Sequence, residues 1–269
     1  MSAVADETTA VAARRPRGRG VALWLAPVLT FAALLVVWQL ATIVFGWPVW
    51  LVPTPVDVAE ALWDYRSLLP RQFWVTLFET LAGFGLAVAI GIPLAVAIAV
   101  SALLERTIYP VLLALNAVPK IAIAPILILW MGFGYGPKIV VALLLCIFPI
   151  VISTASGLAS TPSELVELTR SLCASRRQAF VKVRFPAALP QVFVGLKVAI
   201  SLAVIGAVIG EFVGSSEGLG WVIINSGANV NTPLAFAAMA LLALMSIALF
   251  YVLVAVERWL VPWARHESE

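Results

Sequence analysis

Residues 72–100 read QFWVTLFETLAGFGLAVAIGIPLAVAIAV, a run in which Glu79 is the single ionisable side chain. At a rise of ~1.5 Å per residue, a helix of this length exceeds a hydrocarbon core of roughly 30 Å. Apolar residues fill it on all sides, whereas a helix on the surface of a soluble domain confines them to one stripe. Inside lipid no water is available to the backbone, so such a run must satisfy its N–H and C=O groups internally, as a helix does. Five comparable runs occur, at about 21–45, 107–131, 137–159, 190–214 and 233–256. The alternating segments of about ten residues that mark a membrane barrel are absent. The expected fold is all-α and polytopic: six transmembrane helices in one domain over 21–260, with tails at 1–20 and 261–269.

Composition agrees. The 269 residues are 62% hydrophobic and 12% charged, against about 25% charged in soluble domains, and the mean hydropathy is +1.05. The net charge of +3 comes from basic residues at the ends of apolar blocks, with no aromatic-interleaved basic patch, so nucleic acid is excluded as a partner. The first block is longer than the roughly 7–15 residues of a signal-peptide core and lacks a small-residue cleavage site, so it reads as a retained helix. Cys146 lies in an apolar block and Cys173 in a polar loop; neither belongs to a metal-binding or disulfide pattern.

An inside N-terminus places Arg14, Arg15, Arg17, Arg19, Arg106, Arg170, Arg176, Arg177, Lys182, Arg184, Arg258 and Arg265 in the cytoplasm. Arg66, Arg71 and Lys138 then fall outside, while Lys120 and Lys197 lie within apolar runs. By the positive-inside rule both termini are cytoplasmic. In the outer loop 46–71, Thr54-Pro55-Val56-Asp57 combines a capping residue, a proline at the first helical position and an acid in the first turn. It predicts a short surface helix with Ala59, Leu62 and Trp63 on one face, anchored at the interface with Trp47 and Trp50.

The stretch 160–189 is the longest polar connection. Thr161-Pro162-Ser163-Glu164 and Ser175-Arg176-Arg177-Gln178 both read as capping boxes. Leu165, Leu168 and Leu172 give the first helix an apolar face; Ala179, Phe180 and Val183 do so for the second, which Pro186 ends. Helix–helix connections usually run to about 2–8 residues, so a long, doubly capped, amphipathic loop reads as a helix–turn–helix docking knob between helices 4 and 5.

Glu167-Leu168-Thr169-Arg170-Ser171-Leu172-Cys173, followed by Val183-Arg184-Phe185-Pro186, resembles the EAA loop of binding-protein-dependent ABC permeases. Glu167, Pro186 and the spacing are kept; Leu168 and Thr169 replace the two alanines, Cys173 the glycine and Phe185 the leucine. Flanking stretches resemble the nitrate, sulfonate and taurine branch: 118–125, 174–180, 185–190, Gly-Glu-Phe-Val-Gly at 210–214 and 257–263. The resemblance spans roughly residues 50–263. It implies the cell-membrane subunit of an importer, no enzyme itself, working as a homodimer with ATP-binding subunits and an extracytoplasmic substrate-binding protein. It also implies ATPase coupling through Glu164, Glu167, Arg170, Cys173, Ala174, Arg176, Arg177, Phe180, Val183 and Pro186. The expected solute is a small anion of the nitrate, sulfonate or taurine kind, with a vitamin precursor or aromatic acid as the alternative. No cofactor is expected in the chain: no Gly-x-x-x-x-Gly-Lys-Ser/Thr loop occurs, so ATP is bound by the partner. A cysteine in place of a glycine between capped helices predicts either a positive φ at Cys173 or a first helix that runs through it.

Asn116, Lys120 and Glu211 are the candidate translocation-path residues. An ionisable group such as Lys120 at membrane depth lines a pathway or pairs structurally, with Glu79 or Glu211 as candidate partners. Gly206, Gly210 and Gly214, like Gly83, Ala87 and Gly91, form ladders for close helix packing. Pro93, Pro119, Pro125 and Pro149 are expected to kink or interrupt their helices. Gly214-Ser215-Ser216-Glu217-Gly218 matches a serine-nucleophile pattern, but the single histidine, His266, is expected in the cytoplasmic tail, across the membrane from this loop, so hydrolase chemistry is set aside. A secondary transporter is the distant alternative; it would call for internal symmetry between halves, which the chain lacks.

Overall fold

The computed structural model describes residues 19–263, with side chains described from Val28 onward; Arg14, Arg15, Arg17, Arg265 and His266 lie outside the described residues. The described residues form helices and no strands. Helices α1 (Arg19–Phe45), α3 (Leu69–Val100), α6 (Tyr135–Ala159), α9 (Phe185–Gly214) and α11 (Thr232–Leu260) are each long and apolar enough to cross a membrane. Helices α4 (Ala102–Ala117) and α5 (Lys120–Met131) are long and apolar enough only as a pair, and they meet at 91°. The continuous run expected over 107–131 is thus two helices. Pro119 lacks an N–H to continue the ladder, and Val118 before it is extended (φ −68°, ψ 128°). Helices α3, α5 and α6 run on through Pro93, Pro125 and Pro149.

The centre of the bundle is α6, clasped between α3 and α9. Ala142 is fully buried where the three helices approach closely, with Gly83 of α3 on one side and Gly206 of α9 on the other. Gly91 faces Ile150 and Gly210 faces the backbone of Lys138, both on α6, while Gly214 meets Ile128 of α5 and Phe133, so these glycines serve close packing inside this chain. Ala87, Cys146, Ile150, Val192, Phe193 and Ala199 fill the core between them. Large apolar residues such as Leu29, Phe31, Val37 and Ile43 on α1 remain exposed, as lipid-facing residues do.

A second core closes one end. The capping box at Thr54 forms as expected, with the Asp57 N–H on Thr54 Oγ1 at 3.1 Å and Thr54 N–H on Asp57 Oδ2 at 2.8 Å. Helix α2 (Pro55–Asp64) then buries Val58 and Ala61 against Leu219, Val222, Leu234 and Ala238, leaving Trp63 exposed. Leu219 and Val222 belong to a short helix, α10 (Leu219–Ala228), within the connection between α9 and α11.

Candidate functional site

The opposite end carries the knob. Helix α7 (Ser163–Ser171) exposes Leu165, Leu168 and Leu172, the last two at 55% and 72% of their surface. Glu164, Glu167 and Arg170 stand exposed beside them, and Thr169 is the residue turned inward. Cys173 closes α7 at φ +52°, with its N–H on Arg170 O and the Ala174 N–H on Thr169 O. That is the left-handed helix end where glycine is normally used; holding cysteine there costs on the order of 1 kcal/mol.

Two details of the knob depart from expectation. The first capping box does not form: α7 is capped by Pro162 without a side-chain bond, and the Thr161 hydroxyl donates to Leu158 O instead. The second does form, Ser175 accepting from Gln178 N–H and Gln178 Oε1 from Ser175 N–H. It opens α8 (Arg176–Ala179), and Pro186 does not end that helix. A π turn over Phe180–Arg184 bonds Phe185 N–H to Phe180 O. The wider turn lets the helix pass the proline, whose missing N–H and bulky ring would break a regular α ladder. Helix α8, the π turn and α9 therefore form one continuous span, Arg176–Gly214. Arg176 and Arg177 are exposed on it; Phe180, Val183 and Pro186 are half-buried toward its base, as is Ala174 just before it.

The bend between α4 and α5 brings Asn116 and Lys120 together. Lys120 opens α5, and its Nζ donates to Asn116 O (3.0 Å) and Asn116 Oδ1 (2.8 Å). The ammonium thus serves the carbonyl end of α4, where a cation is favoured. Neither Glu79 nor Glu211 is its partner.

Those two acids belong to a cluster that sequence reasoning missed. Lys138, expected in an outer loop, is 5% exposed inside α6, with Nζ 2.5 Å from Glu79 Oε1. Glu211 is 1% exposed; it accepts from the Thr76 hydroxyl at 2.6 Å and from Gly220 N–H at 2.5 Å. Thr76 Oγ1 in turn accepts from Leu219 N–H, and Gln72 Oε1 from Gly218 N–H. Glu211 is therefore engaged with α3 and α10, away from the Asn116–Lys120 pair. Above the cluster, Phe133, Tyr135, Lys138, Ser215 and Glu217 line a cleft of about 450 Å³, and Arg71 pairs with Glu217 at 2.6 Å on its rim. Among the described residues no group of His, Cys, Asp and Glu is arranged to hold a metal ion.

Residues 87–266 match the family described as binding-protein-dependent transport system inner membrane component. The formylaminopyrimidine transport permease protein ThiX of Halalkalibacterium halodurans is 35% identical over 90% of this chain and 97% of its own. The riboflavin transport system permease protein RibX of Chloroflexus aurantiacus is 38% identical over 96% and 98%. Permeases named for taurine, aliphatic sulfonates and nitrate match at 28% to 31% identity. Among solved structures, the inward-facing MetNI methionine ABC transporter shares the fold at a TM-score of 0.65 and 23% identity, over 73% of this chain and 98% of that one. The chain belongs to the family of inner-membrane components of binding-protein-dependent transport systems, the ABC importer permeases.

Proposed function

We propose that this permease subunit couples ATP hydrolysis by a partner subunit to alternating access through the knob, α7 and α8. The observation that carries the reading is the unbroken helix from Arg176 to Gly214. A rigid rod with one end in the knob and the other beside the outer cleft turns a displacement of the docking surface into a displacement of the membrane path. Basic residues gather at the knob end, Arg106, Arg170, Arg176, Arg177, Lys182, Arg184 and Arg258, against Arg66 and Arg71 at the other. This supports cytoplasmic termini and a knob facing the ATPase. The chain works as a homodimer with two ATP-binding subunits, and an external binding protein delivers solute to the α2–α10 end.

Asn116 and Lys120 line the path at the bend. Replacing Lys120 by alanine removes a charge-assisted bond of about 1.5–3 kcal/mol that fixes α5 against α4. Transport in reconstituted vesicles should fall about tenfold or more with the complex still assembled; unchanged transport would remove Lys120 from the path.

For the solute, the stronger similarity to permeases named for formylaminopyrimidine and riboflavin favours a heterocyclic vitamin-type compound over a small anion. The charge distribution points the same way, since Lys120 is held by Asn116, Lys138 by Glu79 and Lys197 by Glu257. A thermal-shift screen of the cognate binding protein should stabilise it with aminopyrimidines or flavins. Stabilisation by taurine, alkanesulfonates or nitrate alone would restore the anion reading.

A further inference from the structure

The cluster beneath the outer cleft has an unbalanced count of charges and hydrogens. Glu79 is 0% exposed, Glu211 1% and Lys138 5%, and the charged groups facing one another come from α3, α6 and α9. With both carboxylates ionised, one ammonium leaves the site at net charge −1 with both acids buried, an arrangement of high desolvation cost. Arg71 and Glu217 pair with each other on the exposed rim and bring no balancing charge inside. Tyr135 offers Lys138 only its ring, 5.3 Å from Nζ.

The hydrogen bonds show where the deficit lies. Both oxygens of Glu211 are acceptors already, one for Thr76 and one for Gly220. Glu79 uses Oε1 for Lys138, while its Oε2 is buried without a partner in the bond network. A buried polar oxygen left so demands a reason. Thr76, which donates to Glu211, stands one turn before Glu79 on α3, and Gly210, next to Glu211, packs on Lys138, the partner of Glu79. The two carboxyls therefore share one site, and carboxylates that share a site hold a proton between them.

We propose that Glu79 is a proton-holding positioning residue: its Oε2 carries a proton, donates it to Glu211, and so fixes Glu211 as the acceptor that clamps the start of α10 to α3 and α9. The proton satisfies the orphaned oxygen, makes the Glu79–Lys138–Glu211 triad neutral and keeps Glu211 anionic toward the N–H groups that open α10. The clamp is crowded as well as bonded. A Cβ at Gly220 would stand 2.6 Å from Glu211 Oε2, and Gly218, at φ +104°, lies against the same carboxylate. Glycine is required at both places so that the chain can turn back onto it. The outer cleft thereby acquires a neutral floor, with Lys138 compensated from below.

The test separates a protonated Glu79 from an ionised one that merely fills space. The permease is purified with its ATP-binding subunits, and isotope-edited infrared spectra are taken of wild type, Glu79→Gln, Glu79→Ala and Glu211→Gln, with thermal melting of each. The wild type should show a protonated-carboxylic-acid carbonyl band at neutral pH that disappears in Glu79→Gln. Glutamine copies the acid, its amide donating to Glu211 and its oxygen accepting from Lys138, so Glu79→Gln should melt within ~2 °C of wild type while Glu79→Ala falls by ~5 °C or more. No acid band in the wild type would overturn the proposal, as would a Glu79→Gln variant as unstable as Glu79→Ala. A band that survives in Glu79→Gln and vanishes in Glu211→Gln would put the proton on the other carboxyl and equally overturn it.

Discussion

Aspartate at Leu168 and Leu172 together is expected to release the ATP-hydrolysing partner when the complex is purified in mild detergent, and to lower transport by ~30-fold or more. Neither side chain is used by this chain's own packing: they stand 55% and 72% exposed on the outer face of α7, while Thr169 supplies the inward contact. The fold should therefore tolerate the change, with membrane yield and melting temperature of the isolated permease unaltered. Docking should not tolerate it. An apolar anchor buried in a partner cleft is worth about 2 kcal/mol or more, which is roughly 30-fold in affinity, and a buried unpaired carboxylate adds its own penalty. Co-elution of the partner at wild-type stoichiometry would show that these leucines face lipid or solvent and that the docking surface lies elsewhere on the knob. Loss of ATP hydrolysis coupling without loss of co-elution would place the defect in transmission along the Arg176–Gly214 rod instead.

How much of this was legible in the sequence depended on whether the cause was local. Crossings end where apolar runs end, because lipid leaves the backbone no alternative; hence 72–100 became Leu69–Val100 and 233–256 became Thr232–Leu260. The strained Cys173 was equally readable, since a non-glycine residue at a glycine position must take the left-handed conformation or lengthen the helix. Thr161 shows the limit of a four-residue pattern: the same hydroxyl that caps a helix also bonds a carbonyl behind it, and Leu158 O won. Pro186 looked like a terminator because local chemistry forbids a regular α ladder through it, yet a π turn supplied the irregular one. Lys138 was least legible. It follows a Gly132-Phe133-Gly134-Tyr135-Gly136-Pro137 stretch that reads as a turn, and its partner lies 59 residues away on another helix. Nothing within a few residues of a lysine records that pairing. The role of Glu211 likewise appears only once α10 has folded back to present Gly218 and Gly220.

The largest structural effect is expected at Gly206. A Cβ there would lie 2.5 Å from Ala142 Cα and 2.9 Å from Ala142 N, far inside the ~3.5–4.0 Å optimum for carbon contacts. The obstacle is backbone, which no rotamer change can move aside. Gly206→Leu must therefore push α9 off α6 along a closely packed seam of the bundle, and a gap of even 0.5–1 Å forfeits about a quarter to half of each contact well. Against a net stability of roughly 5–15 kcal/mol, no folded permease should accumulate in the membrane, as judged by yield and by monodispersity on size exclusion. Gly85→Leu is the control: the same substitution on the same kind of helix meets nothing within 4 Å and should be accepted. The other side of Ala142 gives a sharper contrast. At Gly83 the nearest obstacle is the Ala142 side chain, Cβ at 2.5 Å, with Ile139 O next at 2.9 Å. Ala142→Gly should thus partly rescue Gly83→Ala and leave Gly206→Ala unrescued. Equal rescue of both would mean that α6 can shift as a body between its neighbours, and that the close approach at Ala142 is compliant and not fixed.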